Sequence, residues 1–155
     1  MTSNIRQASL SDVQKLIELM AEFYSEADFA LNRIRAAGTF HALISDNRLG
    51  YVWLIQSDSQ SVGYVVVTLA FSMEYGGRSA VLDDLFIQKP FRGAGLGSAV
   101  MAEIRTFCES LEIRAVHVEV AMDNVAGQTV YRRVGFVSTD RQLLTLRLAE
   151  PSHAA

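Results

Sequence analysis

The stretch from Val81 to Leu111 constrains the fold more than any other part of this 155-residue chain. It opens with Val81-Leu82-Asp83-Asp84-Leu85-Phe86-Ile87, β-prone and apolar apart from two adjacent carboxylates. A short polar turn, Gln88-Lys89-Pro90-Phe91, leads into Arg92-Gly93-Ala94-Gly95-Leu96-Gly97-Ser98. Leu96, Val100, Ile104, Phe107 and Leu111 then recur at three- and four-residue steps, the apolar stripe of an amphipathic helix. The pattern predicts a strand, a glycine-rich turn and a helix that starts inside the glycines. The first N–H groups of such a helix have no partner within it and, with the helix dipole, form an anion site. Glycines at 93, 95 and 97 remove the Cβ atoms that would hold a phosphate off the backbone.

Two common phosphate motifs are absent. A P-loop ends in Gly-Lys-Ser/Thr, and Gly97 is followed directly by Ser98. The dinucleotide fingerprint needs a glycine three positions after its second, where Ser98 stands after Gly95. The length fits one domain with a substantial core, here 1–150, ahead of a frayed tail at 151–155. A net charge of −3 without a basic run argues against nucleic acid as a partner. No signal peptide stands at the start, and no apolar run approaches the roughly 20 residues that span a bilayer. The one cysteine, Cys108, fits a reducing compartment and reads as a packed core thiol. These features point to a cytoplasmic protein with no membrane partner. No His, Cys and acidic spacing matches a metal site, and His41 reads as a surface or packed side chain.

Along the rest of the chain, Ile5–Ala8 suggests a first strand. Ser9 with Asp12 three residues on suggests a capped helix ending near Ser25. Leu31–Ser45 reads as a less regular helix weakened by Gly38. Tyr51–Ile55 and Val62–Leu69 form an expected antiparallel hairpin, the second strand central. Phe71–Arg78 reads as a loop, Ala115–Val120 as a strand, and Asp123 to Val134 as a helix closed by Gly135. Phe136–Val137 and Gln142–Leu148 supply two expected last strands. The order β, α, α, β, β, β, α, β, α, β, β predicts a single three-layer α/β/α sandwich with a mixed sheet.

Three motifs in this order resemble the GNAT superfamily of N-acetyltransferases. They are the strand Leu82–Ile87 with its acidic pair, the turn Arg92-Gly93-Ala94-Gly95-Leu96-Gly97, and the stretch from Glu119 to Phe136. The last carries Asn124, Tyr131 and the Gly135-Phe136 pair. Pro90 departs from the Gln or Arg often found there in the family. The resemblance implies a centrally splayed sheet and acetyl-coenzyme A as cofactor. Its pyrophosphate would lie on the amides of Arg92, Gly93, Ala94, Gly95, Leu96, Gly97 and Ser98. Its pantetheine arm would pair with the edge of Leu85, Phe86 and Ile87, and Asn124 would hydrogen-bond the arm.

By the same resemblance Tyr131 would protonate the departing sulfur, and an acid would take the proton of the amine. Asp83 and Asp84 are the candidates, Asp83 favoured and Glu119 weaker; strict alternation along a strand lets only one face the substrate. Glu22, Glu26 and Asp28 around Phe23, Tyr24 and Phe29 would form an acidic, aromatic lip, and Tyr24, Glu26, Glu74 and Asp83 are the residues expected at the acceptor. The acids Glu22, Glu26, Glu74 and Asp83 favour a small cationic amine over a protein amine. Family members often dimerise, so a homodimer is open. The rival readings are a non-catalytic acyl-coenzyme A sensor of the same fold and a subunit that works only with a partner. Asn124 together with Tyr131 argues against the sensor, which has less need of a proton donor at sulfur.

Overall fold

The computed structural model describes residues 3–151, so Ser152–Ala155 of the expected tail lie outside the described residues. Five strands form one sheet in the order β1-β2-β3-β4-β5: Ile5–Gln7, Gly50–Ser57, Gln60–Ser72, Gly77–Ile87 and Val116–Val118. The first four are antiparallel neighbours, and β5 joins β4 in parallel, which makes the sheet mixed. Four α-helices flank it: α1 (Val13–Glu26), α2 (Arg33–Ser45), α3 (Leu96–Ser110) and α4 (Val125–Val134).

The three expected layers follow from two separate cores. Leu16, Leu19, Phe40 and Leu43 of α1 and α2 pack on Val52, Leu54, Tyr64 and Val66. On the opposite face Val100, Met101, Ile104 and Cys108 of α3 meet Trp53, Ile55, Val65 and Val67, with Val130 and Tyr131 of α4 alongside. Alternate residues of β3 therefore serve opposite layers, which is why that strand is apolar throughout and central. Burial of Cys108 among these side chains bears out its reading as a core thiol.

Local signals act as their chemistry dictates. The Asp12 carboxylate accepts from the Ser9 N–H at 2.8 Å and is held by Arg6 at 3.0 Å, which ties β1 to the start of α1. Asn32 caps α2 by accepting from the Arg35 N–H at 3.0 Å, so that helix begins at Arg33 and runs unbroken through Gly38. Gly135 closes α4 in the left-handed region at φ 118°.

Three expectations are corrected. Half of the expected loop Phe71–Arg78 is strand, because β3 continues to Ser72 and β4 starts at Gly77, which leaves a turn over 73–76 with Gly76 at φ 77°. The strand expected over Ala115–Val120 shrinks to Val116–Val118. The last strands, Phe136–Val137 and Gln142–Leu148, do not form; residues 137–150 carry no strand, and Leu148 is 91% exposed. β-prone residues make a strand only against a partner's ladder. The β5 edge offers three residues, and Val137, Ser138 and Thr139 face it across a cavity. The chain beyond is tethered by Arg141 to Glu74, and by Arg35 to the carbonyls of Glu150 and Pro151 at 3.1 Å. Among the described residues no helix is long and apolar enough to cross a membrane.

Candidate active site

The site is built on an irregularity in β4. Val66 pairs with Asp84 but Val67 pairs with Leu82, so Asp83 is an extra residue without an opposite number on β3. Such a bulge shifts the phase of alternation. Before it, Ala80 and Leu82 point into the α3 layer; after it, Leu85 points there and Phe86 points to α1 and α2. Asp83 borders a cavity beside α2, and Asp84 bonds Tyr64 in the α1–α2 layer. Both carboxylates therefore reach the same side of the sheet, and the expectation that only one could do so is corrected.

Their environments differ. Asp83 is exposed, and desolvation raises its pKa from the ordinary carboxylate value. Asp84 is more deeply set, and burial pushes it up to about 7. The Tyr64 hydroxyl, donating to Asp84 Oδ2 at 2.9 Å, works against that rise, and the Asp83 charge adds to it. The Tyr64 phenol is fully buried and its pKa is strongly raised, by burial first and by Asp84 next. Tyr24 on α1 and Tyr131 on α4 are also raised, by burial and then by the Asp84 charge. One carboxylate thus lies within electrostatic reach of phenols from α1, β3 and α4. Tyr64 was legible in the sequence only as part of an apolar strand. The available signal was a hydroxyl in a central strand, which needs a buried partner.

Beside these groups the sheet opens. β5 accompanies β4 only from Ala80 to Leu82, so β4 has no neighbour on that side beyond the bulge. The Gln88 N–H bonds Val62 O of β3; by alternation the backbone N–H and C=O of Phe86 also face β3, and those of Leu85 and Ile87 face the open edge. Tyr131 lines a cavity of about 440 Å³ under β5 with Val118 and Phe136, its ring edge-on to Phe136 at 5.6 Å.

The turn after β4 is the expected one. Gly93 and Gly95 both have φ 84°, and Gly95 caps α3 without any side chain. The first amide bonded into the helix is that of Ala99, to Gly95 O at 3.0 Å. The amides of Leu96, Gly97 and Ser98 are thus the unpaired donors of a helix start. A Cβ at Gly93 or Gly95 would meet nothing within 4 Å, so both glycines border open space beside the helix start. Arg92 serves the turn itself: its N–H bonds Lys89 O at 3.2 Å, and its guanidinium bonds Ile87 O at 2.6 Å and Glu26 at 2.7 Å.

With this geometry in place, comparison with known proteins decides the family. The sequence profile of the acetyltransferase (GNAT) family matches residues 13–136. The chain is a GNAT-family acetyltransferase. It is an enzyme of the N-acetyltransferase class. The acetyltransferase is 43% identical to an integron cassette protein from the mobile metagenome of Cole Harbour Salt Marsh. That likeness has a TM-score of 0.90 and covers 97% of this chain and 94% of the other. It is 22% identical to an aminoglycoside N(6')-acetyltransferase type 1 of Stenotrophomonas maltophilia over 96% of this chain and 95% of that one. A predicted acetyltransferase from Clostridium acetobutylicum, solved with acetyl-coenzyme A, shares its fold. The TM-score there is 0.78 at 18% identity, over 94% and 96% of the two chains.

The acetyltransferase places the remaining expected site residues unevenly. Glu26 is committed to Arg92, which lowers its pKa, and Glu74 is committed to Arg141, with the same effect. Neither is the free acid expected at the acceptor. Tyr24 is half-buried and edge-on to Phe23 and Phe29. Asn124 caps α4, its Oδ1 accepting from the Gly127 N–H at 2.9 Å. Gly127 permits this fold-back, since a Cβ there would stand 2.6 Å from Asn124 Nδ2. Glu119 is exposed beyond the end of β5, and among the described residues no cluster could hold a metal ion.

Proposed function

We propose that this acetyltransferase acetylates a small primary amine in a ternary complex, with Asp84 accepting the proton of the amine and Tyr131 supplying one to the sulfur. The observation that carries the reading is the bulge at Asp83, which sets two carboxylates on one face of the sheet where the edge of β4 opens. The residues fit coenzyme A on two counts: unpaired amides at a helix start beside open space suit a diphosphate, and an unpaired strand edge suits an extended amide-bearing arm. Gly93 through Ser98 would hold the diphosphate, Leu85 and the Ile87 N–H the arm, Ile87 O being held by Arg92, and the Nδ2 of Asn124 would add a donor.

Bound acetyl-coenzyme A supplies a thioester whose carbonyl carbon takes the amine and whose sulfur leaves as a thiol. An ammonium cannot attack, so a proton acceptor is required first. A carboxylate titrating at about 7 is a far better acceptor than one in the ordinary range, and it is still largely ionised at slightly alkaline pH. Tyr64 fixes the orientation of that carboxylate. Burial and the nearby negative charge keep the Tyr131 phenol protonated, as a donor must be. Asp83, exposed and without a side-chain partner among the described residues, is placed to hold the ammonium before transfer. Buried, unpaired Cys108 supports a reducing, cytoplasmic setting.

The test is thiol release from acetyl-coenzyme A in the presence of an amine panel. Amine-dependent release that falls about a hundredfold or more in kcat for Tyr131→Phe is the expected result. Coenzyme A binding without turnover on any amine would contradict it.

A further inference from the structure

The groove bordered by Asp83 has a composition that speaks to the acceptor. It measures about 440 Å³ and runs between α2 and the face of β3 and β4 at the bulge. That is at the small end of the ~300–1,000 Å³ of ordinary ligand pockets. Ala36, Phe40, Leu43 and Val66 supply apolar walls, Thr39 and Thr68 a hydroxyl each, that of Thr39 donating to Arg35 O, and Asp83 the single charge. Of the other expected acids, Glu26 and Glu74 are neutralised by Arg92 and Arg141, and Glu22 on α1 accepts from the Gln88 side-chain amide, away from the groove lining.

Gly38 adds an independent observation. It borders the groove from the middle of α2, where glycine is a poor helix residue. Nothing in the fold requires it: its φ is not positive, and a Cβ there would meet nothing within 4 Å. The lack of a side chain relieves no clash and permits no turn. It stands exposed at the border of the groove, where a side chain would start from open space.

We propose that this groove is the acceptor pocket and takes a primary monoamine carried on an apolar body, with the ammonium on Asp83 and the hydrocarbon against α2. This rests on the acetyl-transfer reading above and narrows it. An amino sugar or polyamine brings several ammonium groups and hydroxyls, which apolar walls would desolvate without compensation. A monoamine pairs its one charge with the one carboxylate and buries its body on Phe40, Leu43 and Val66.

The experiment is calorimetric titration of the coenzyme A-loaded protein with phenethylamine and hexylamine, against spermidine and kanamycin. The monoamines are expected to bind about tenfold or more tightly than either polycation. Gly38→Leu fills the groove from an exposed helix position; it should weaken phenethylamine about tenfold or more and melt no lower than the parent. Asp83→Asn should weaken both monoamines by a similar factor. Tighter binding of kanamycin or spermidine, no heat from either monoamine, or an indifferent Gly38→Leu would overturn the substrate class while coenzyme A binding stands. Phenethylamine heat without any coenzyme A binding would instead sink the transfer reading, and the groove's acceptor role with it.

Discussion

Asp84 has one identified hydrogen-bond donor, the Tyr64 phenol, and a pKa raised by burial to about 7. An unfolded aspartate titrates near 3.9, so between about pH 4 and pH 7 the folded chain holds the extra proton. The contribution to stability is full below the unfolded value and is lost as pH rises towards 7. Asp84→Asn should therefore remove a decline of roughly 2–4 kcal/mol between about pH 4 and pH 7.5, read from urea midpoints of the two proteins. A parallel pH dependence of parent and variant would deny the shift. At this scale the sequence was partly legible. Tyr131 and the acidic pair stood out, but the roles of Asp83 and Asp84 depend on burial and on one extra residue in a ladder, neither of which a single strand pattern encodes. Glu26 and Glu74 show the reverse: acids that looked available are tied to arginines 66 and 67 positions away.

The strand–turn–helix unit was readable because each signal is local: β-branched and aromatic residues up to Ile87, positive φ at Gly93 and Gly95, and a helical stripe from Leu96. Gly95→Ala would force a side chain into the left-handed region at φ 84° and so strain the turn that presents the amides. We expect a stability loss of about 1 kcal/mol and an affinity for coenzyme A lower by about tenfold, measured by thermal melting and calorimetry. At the other end of the chain, Asp12 accepts from Ser9 and Arg6 together, and its pKa falls to about 2 with the Arg6 bond as the main cause. Asp12→Ala should cost about 1 kcal/mol, seen as a lower melting temperature, with turnover per folded molecule unchanged. The Arg6 side of the pair is half exposed to solvent, so most of that loss belongs to the helix start and less to charge.

For the whole molecule, the layers were legible because the two cores follow periodicity: 3.6 for the helices and 2 for β2 and β3. The last strands were not, because β-prone Leu143–Leu148 shows nothing of whether a neighbouring edge exists to receive it. The splay of β4 from β5 entered through the family resemblance, and its position, at the bulge, emerged only from the pairing. Topology thus converges a helix start, an open strand edge, two carboxylates and a phenol from α4 on one region. The most direct test of that convergence is the pH dependence of kcat/KM for acetyl transfer to a fixed amine. The parent should show an ascending limb near pH 7, absent in Asp84→Asn but retained in Asp83→Asn. A limb that survives in Asp84→Asn and disappears in Asp83→Asn would contradict the assignment.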